Sequence, residues 1–424
     1  MYGLLGKNLS HSFSKRLHEK MGEEQYRLYE TDDVSDFFKT VSFKGMNVTH
    51  PYKQEVIEHL DALDETAREA GVVNTIVRTK CGLKGYNTDC LALLEIVKRR
   101  FPSDKDILVG ILGNGATMRS MKYALLRSDY RNIAVYARNP RSNEQSFNHI
   151  DSKVQVLINT TPVGMYPNNG QMLPVDLHSL PNLTLVFDVI YNPFETRLLL
   201  EAKSMGVKTV NGLEMLVRQA LESRALFKMK GPRETNPSEW TGRIERELKN
   251  IVLIGLPFSG KTHFGKLLSK AYDRPFIDLD RRIETEQNAS IEELFQTKGE
   301  AFFRRLEKNA VETLGKEHGQ VLATGGGVVL DGENVKNLAQ NGVLVFLDLD
   351  LRLLEKQTMN GRPLIKSFSD LQALQNKRQP LYEHCSDIVI PKTTWDERVT
   401  LRRIQEGLDA YFDRERTELE SSGS

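Results

Sequence analysis

The chain has 424 residues, of which 39% are hydrophobic and 27% charged, and its formal net charge is +1. That length predicts two or three domains, and the composition is that of a globular protein able to build more than one core. The charge balance gives no basic excess for a phosphate backbone, so nucleic acid is not an expected partner, and no run approaches the roughly 20 apolar residues of a membrane span.

The opening MYGLLGKNLSHSFSK has no long apolar segment behind a basic start, so no signal peptide is expected. Cys81, Cys90 and Cys385 show neither paired nor metal-ligand spacing, and a reduced, cytoplasmic setting is the expectation. Up to about residue 90, short apolar runs (YGLLG, FKGMNV, VVNTIV) alternate with helical patterns such as SFSKRLHEKMG. A new unit begins at Ile107, where ILVGIL reads as a buried strand and ATMRSMKYALL as the helix behind it. GLEMLVRQALESRALFK reads as the last helix of this half. The polar stretch KGPRETNPSEWTG, with its two prolines, reads as a linker. Beyond it IVLIG, PFIDL, VLATG and VLVFLDL are strands separated by helical stretches, the pattern of a parallel sheet covered on both faces.

These signals predict an α/β protein with units at 1–90, 91–229 and 250–413, the last built on a parallel sheet, a linker at 230–249 and a tail at 414–424. The helix at about 213–229 is expected to pack back on the first domain.

Residues 255–262, GLPFSGKT, follow a strand and open a helix. In that context G-x4-G-K-[ST] is a phosphate loop: Gly255, Ser259 and Gly260 wrap phosphates with backbone amides, Lys261 supplies a cation, and Thr262 can bind Mg²⁺. Asp278 and Asp280 are expected at the end of the next strand, one toward Mg²⁺ and one toward the substrate. FFRRLE supplies Arg304 on a helix, TGGGVV exposes the backbone of Gly325, Gly326 and Gly327, and Arg362 and Arg378 follow in NGRPLI and NKRQPLY. This order of motifs resembles shikimate kinase over residues 250–413. The resemblance implies Asp278 and Thr262 at Mg²⁺, Lys261, Asp280 and Arg362 in catalysis, and Asp280, Arg304, the three glycines and Arg378 around shikimate. Two arginines suit a carboxylate, since each guanidinium offers two parallel bonds.

In the first half small polar groups follow apolar runs: Ser12 and Ser14 in HSFS, Asn47, Thr49 and Lys53 in GMNVTHPYK, Asn74 in GVVNTI, and Asp89 in GYNTD. Such a set supplies the many short donors that a polyhydroxylated acid needs. Ketone reduction builds negative charge on oxygen, and Lys53 held by Asp89 can donate the proton. With INTTPVGM, DVIYNP and MLVRQA later in the chain, residues 1–228 resemble shikimate dehydrogenase. The resemblance implies Lys53 and Asp89 as the catalytic pair, with Ser12, Ser14, Asn47, Thr49, Asn74, Asp89, Tyr191 and Gln219 lining the shikimate site.

The cofactor loop is GNGATM: Gly113, Asn114, Gly115 and Ala116, with Met118 where a small residue is usual. After the strand IAVY come Arg138, Asn139 and Arg141, and basic residues there favour a 2′-phosphate, so NADP(H) is expected; Gly212 joins this set. The family's Asn-Arg-Thr reads ARNPRS here, with Ser142 where its later basic residue stands, and Lys15 replaces a proline after the serine pair. Together the halves imply a substrate domain at 1–90, a Rossmann-like NADP domain at 91–229 and a P-loop kinase domain at 250–413, with NADPH-dependent reduction of 3-dehydroshikimate followed by ATP- and Mg²⁺-dependent phosphorylation of shikimate, small molecules being the only expected partners and no oligomer being indicated. Two other readings remain open: a quinate-type dehydrogenase joined to another small-molecule kinase, and a non-catalytic metabolite sensor derived from these enzymes.

Overall fold

The computed structural model describes residues 1–9, 12–22, 25–228, 236–354 and 367–421. Its contacts divide into two compact units, Met1–Ile244 and Glu245–Thr417.

The first unit holds two six-stranded sheets. In the first, β1 (Tyr2–Gly6), β2 (Tyr26–Glu30), β3 (Gly45–Val48), β4 (Ala62–Leu63), β5 (Thr75–Thr79) and β6 (Gly82–Tyr86) lie in the order β2-β1-β3-β5-β6-β4. β5 runs antiparallel to β3 and β6, and the other pairs are parallel. Leu5, Phe37, Met46, Val73 and Ile76 form its core. The second sheet is wholly parallel: β7 (Leu108–Leu112), β8 (Ile133–Ala137), β9 (Gln145–Ser146), β10 (Val154–Asn159), β11 (Leu185–Asp188) and β12 (Lys208–Val210), in the order β12-β11-β10-β7-β8-β9. Its central strands β7, β10 and β11 are mostly apolar because both faces are covered. Val156 and Ile158 join one cluster and Leu157 the other, as a period of two requires; Val154 joins Leu157 because the register shifts between Val154 and Val156. The strand order reverses between β7 and β10, which leaves a crevice beyond their carboxyl ends, at Gly113 and Thr160.

The helix Leu213–Phe227 follows β12 and ends on the first sheet. There the Tyr2 hydroxyl donates to the Phe227 carbonyl at 3.1 Å and the two rings stack with centroids 5.2 Å apart.

The second unit has one parallel sheet of β13 (Asn250–Ile254), β14 (Phe276–Asp278), β15 (Val321–Ala323), β16 (Gly342–Leu349) and β17 (Ile388–Lys392), in the order β14-β15-β13-β16-β17. Val252 and Ile254 face one core and Ile251 and Leu253 the other.

Two expectations are corrected. Part of the stretch read as a linker, 230–249, is the helix Pro237–Leu248. Asn236 accepts from the Ser238 N–H at 3.0 Å, and Pro237 fills a first-turn position that needs no donor. Trp240, Ile244 and Leu248 recur every fourth residue and are buried; the division between the units falls inside this helix. The tail read at 414–424 is likewise helical as far as Ser421, the end of a helix that starts at Glu397.

Candidate functional sites

Beyond β3 the chain turns through Thr49 to Lys53, whose carbonyl accepts from the Val73 N–H at 2.8 Å. Asp89 stands in the first turn of the helix Thr88–Arg100, capped by Asn87, whose Oδ1 accepts from the Cys90 N–H at 3.1 Å. Lys53 Nζ donates to Asp89 Oδ2 at 2.7 Å, with the two side chains only 15% and 6% exposed. An ordinary helix or loop lysine faces water; this one is held. A buried hydrogen-bond chain sets the geometry. Tyr26 donates to Asn47 (2.8 Å), Asn47 to Thr75 (3.1 Å), and Thr75 to the Asn74 carboxamide oxygen (3.1 Å). That oxygen also accepts from the Thr88 N–H at 2.8 Å, while Asn74 Nδ2 donates to the Thr88 hydroxyl at 3.0 Å. Asn47 and Asn74 thus fix the start of the helix that carries Asp89. Ser12 caps the helix Phe13–Lys20 through the Ser14 N–H at 3.3 Å and hydrogen-bonds Tyr191, whose pKa burial holds above its ordinary value. Gln219, on the last helix of this unit, donates to the Leu216 carbonyl at 2.8 Å.

In the crevice of the second sheet Gly113 has φ +103°, and a Cβ there would meet Thr160 and Thr161 within 3 Å. A Cβ on Gly115 would meet nothing within 4 Å, so open space faces the start of the helix Ala116–Arg127, which lacks a side-chain cap. Free amides at a helix start beside empty space fit a pyrophosphate. Met118 is buried in the core below. Arg138, Asn139 and Arg141 are exposed after β8, and Asn114 Nδ2 donates to the Asn139 carbonyl at 3.2 Å. Gly212 starts the last helix so near the Val189 carbonyl that a Cβ would lie 2.0 Å from its oxygen.

In the second unit the loop after β13 has positive φ at Gly255, Phe258 and Gly260. Lys261 Nζ is folded onto the loop's own carbonyls, Gly255 at 2.9 Å and Leu256 at 2.8 Å. The Thr262 hydroxyl donates to Asp278 Oδ2 at 2.6 Å. A hydroxyl and a carboxylate meeting at the foot of a phosphate loop fit a Mg²⁺ ion that takes its other ligands from phosphate and water. Residues two apart on one strand share a face, and the two aspartates part because the strand ends at Asp278. Asp278 ends β14 and caps the following helix through the Arg281 N–H at 3.2 Å, while Asp280 is already in that helix, Leu279–Gln287. The three glycines after β15 let charged groups close in. A Cβ on Gly325 would meet Asp280 Oδ1 at 2.7 Å and one on Gly327 the Arg304 guanidinium at 2.4 Å, while one on Gly326 would meet Pro257 at 2.9 Å before Arg378 at 3.4 Å. Arg378 donates to the Gly326 carbonyl at 2.9 Å. Arg362 lies outside the described residues.

Comparison with known proteins matches residues 4–76 to the shikimate dehydrogenase substrate-binding domain and residues 257–408 to shikimate kinase. An NADP(+)-dependent shikimate dehydrogenase of Clostridium beijerinckii is 34% identical over 246 residues, 53% of this chain and 91% of the relative. The chain belongs to the shikimate dehydrogenase family. A second relative, from Methanosphaera stadtmanae, is 33% identical over 262 residues and is covered to 92% of its length. Among solved structures, a chorismate mutase/shikimate 5-dehydrogenase fusion from Clostridium acetobutylicum is 34% identical with a TM-score of 0.52. It covers 57% of this chain and 96% of that one. Shikimate dehydrogenase 1 of Peptoclostridium difficile is 30% identical with a TM-score of 0.51, covering 57% and 97%. The Rossmann-like crevice therefore belongs to a dehydrogenase unit, and the phosphate loop to a shikimate kinase domain.

Several residues that hold these sites were not singled out from the sequence. In the dehydrogenase unit Arg100 donates to buried Glu214 at 3.0 Å and so joins the Asp89 helix to the helix Leu213–Phe227, on which Arg218 also donates to Glu214 at 2.8 Å. Asp188, fully buried, accepts from Asn159 (3.0 Å), Thr196 (2.7 Å) and the Ile190 N–H (3.0 Å), which fixes the start of the Tyr191 segment. Burial pushes its pKa up to about 7 against those bonds. In the kinase domain Glu307 takes the Arg304 Nη1 at 2.8 Å. Burial, with Asp280 close by, raises its pKa against the pull of Arg304 and Arg378. Its position three residues after Arg304 was the available signal. Lys392, at the end of β17, braces the phosphate loop through the Ser259 carbonyl at 3.1 Å; nothing local in the sequence marks it.

Proposed function

We propose that the chain catalyses two consecutive steps: NADPH-dependent reduction of 3-dehydroshikimate to shikimate, then transfer of the ATP γ-phosphoryl group to the shikimate 3-hydroxyl. The observation that carries this reading is the Lys53–Asp89 pair, 2.7 Å apart and nearly covered, in the same chain as a phosphate loop flanked by arginines. NADPH supplies the hydride. Lys53 gives its proton to the oxygen of the ketone as charge develops there, and Asp89 keeps the ammonium aimed. Ser12, Ser14, Thr49, Tyr191 and Gln219 face the substrate's hydroxyls and carboxylate, and Asn47 and Asn74 hold the frame. Gly113 to Ala116 take the pyrophosphate, and Arg138 and Arg141 the 2′-phosphate.

In the kinase domain Lys261 leaves the loop carbonyls for the β- and γ-phosphates. Thr262 and Asp278 would hold Mg²⁺, which screens phosphate charge. Asp280 receives the attacking hydroxyl, Arg304 and Arg378 clamp the carboxylate, and Arg362 meets the transferring group. A cytoplasmic setting belongs to the same proposal: Cys81, Cys90 and Cys385 are free, and among the described residues no helix is long and apolar enough to cross a membrane.

The test is one reaction containing the purified chain, 3-dehydroshikimate, NADPH, ATP and Mg²⁺. NADPH oxidation is followed by absorbance and products by mass spectrometry. Shikimate 3-phosphate in step with NADPH consumption is the expected result. Shikimate accumulating unphosphorylated would remove the kinase step, and no oxidation of NADPH would remove the first.

A further inference from the structure

The cofactor crevice contains a carboxylate that the motifs did not bring out. Glu144 lies in the segment after β8, just past Arg138 and Arg141. Its Oε2 accepts from the Arg141 backbone N–H at 2.8 Å and from Asn114 Nδ2 at 2.9 Å. One carboxylate oxygen thereby ties the cofactor loop at Asn114 to the segment expected to meet the cofactor's 2′ position. Both hydrogen-bond donors are neutral, a backbone amide and a carboxamide. Partial burial opposes ionisation of Glu144. The bonds from Arg141 and Asn114, with the nearby charges of Arg141 and Lys122, outweigh it, and the carboxyl sits below its ordinary range. It is therefore negative at neutral pH.

The charge acts oppositely on the two nicotinamide cofactors. A phosphate monoester carries about −1.5 to −2 at neutral pH and is repelled by a nearby carboxylate. A 2′-hydroxyl is neutral and can donate to the same oxygen, as the acidic residue of NAD-binding folds exploits. The two arginines pull the other way. Resting on the NADP reading of this crevice, we propose that Glu144 is a specificity-determining residue for the cofactor's 2′ position. It weakens 2′-phosphate binding and narrows the preference for NADPH over NADH that Arg138 and Arg141 create.

The experiment measures dissociation constants on the full chain without 3-dehydroshikimate. NADPH and NADH are titrated by fluorescence, and 2′,5′-ADP and 5′-AMP by calorimetry. Glu144→Gln keeps an oxygen to accept from both donors and removes only the charge. It is expected to tighten NADPH and 2′,5′-ADP about tenfold and to leave NADH and 5′-AMP within about twofold. Glu144→Asp, which keeps the charge, is expected to show no such gain. The gain from Glu144→Gln also shrinks as salt is raised toward about 1 M. Equal shifts for phosphorylated and unphosphorylated ligands, no shift, or the same gain from Asp as from Gln would overturn the assignment. Binding of neither nucleotide would remove the NADP reading and the proposal with it. Binding with the expected ratios but no turnover of 3-dehydroshikimate would sink the proposed reduction and leave the role of Glu144 intact.

Discussion

Around Lys53 the polar side chains hold backbone: Asn74 fixes the Thr88 N–H and Asn87 caps the same helix, so the ion pair with Asp89 is presented ready-made. Around Lys261 the polar groups are turned on one another instead. The ammonium sits on carbonyls of its own loop, and Thr262 donates to the carboxylate proposed to share Mg²⁺ with it. The first site needs its substrate only to arrive, whereas the second must exchange internal hydrogen bonds for bonds to nucleotide and metal. Buried networks of the first kind are stiff, and contacts of the second kind are replaced at little net cost because each is exchanged for another.

The sharpest way to break that contrast is at Lys53. Lys53→Ala should lower dehydrogenase turnover by about 10²–10⁴ with kinase activity intact; near-normal NADPH oxidation by this variant would show that water or another group delivers the proton. Next in size is a test of stiffness. Glu214→Ala leaves Arg100 and Arg218 buried without their carboxylate, and the dehydrogenase unit should lose about 3–5 kcal/mol in urea unfolding. A loss under about 1 kcal/mol would mean that the arginines reach water and that the two helices are not locked. In the kinase domain Asp278→Asn should raise the Mg²⁺ concentration for half-maximal activity about 10–100-fold while 3-dehydroshikimate reduction is unchanged. An unaltered Mg²⁺ dependence would take Asp278 out of the metal site.

The smallest expected effect is a pH slope. Asp188 has a folded pKa of about 7, well above that of an unfolded aspartate, so the native state binds its proton more tightly. Stability from this group is fully present below about pH 4, is lost as pH rises toward 7, and is flat above. His18 runs the other way. Burial, with Arg224 nearby, lowers its pKa to about 3, so acid disfavours the native state between about pH 6.5 and 3. Asp188→Asn should therefore raise the urea midpoint relative to the parent chain more at pH 8 than at pH 5. A pH-independent difference between the two would contradict the buried, protonated state of Asp188.

Much of both sites was legible because chemistry-bearing residues follow directly on apolar strands. ILVGIL before Gly113 and IVLI before Gly255 announce a loop at the carboxyl edge of a parallel sheet. Partners far apart in sequence were not legible. Arg100 and Glu214 stand 114 residues apart with no motif linking them, and only folding shows that they bury each other. Lys392 reached Ser259 across 133 residues. The helix Pro237–Leu248 was missed because its prolyl, polar start hides a spacing that emerges only when Trp240, Ile244 and Leu248 are taken together. Asp280 was read as a strand residue because a strand can pass into a helix with no intervening loop, and composition does not mark that junction.

The glycines 325–327 have one more consequence. Each is bare on the side where a different partner rests: the Asp280 carboxylate at the first, the Pro257 ring of the phosphate loop at the second, and the Arg304 guanidinium at the third. The tripeptide is thus a spacer of minimum thickness, and a methyl group added at successive positions would press on a carboxylate, on the proline of the phosphate loop and on a guanidinium in turn. Three alanine variants differing by one step along the chain should therefore have three unlike defects, a resolution of function finer than the fold alone would suggest.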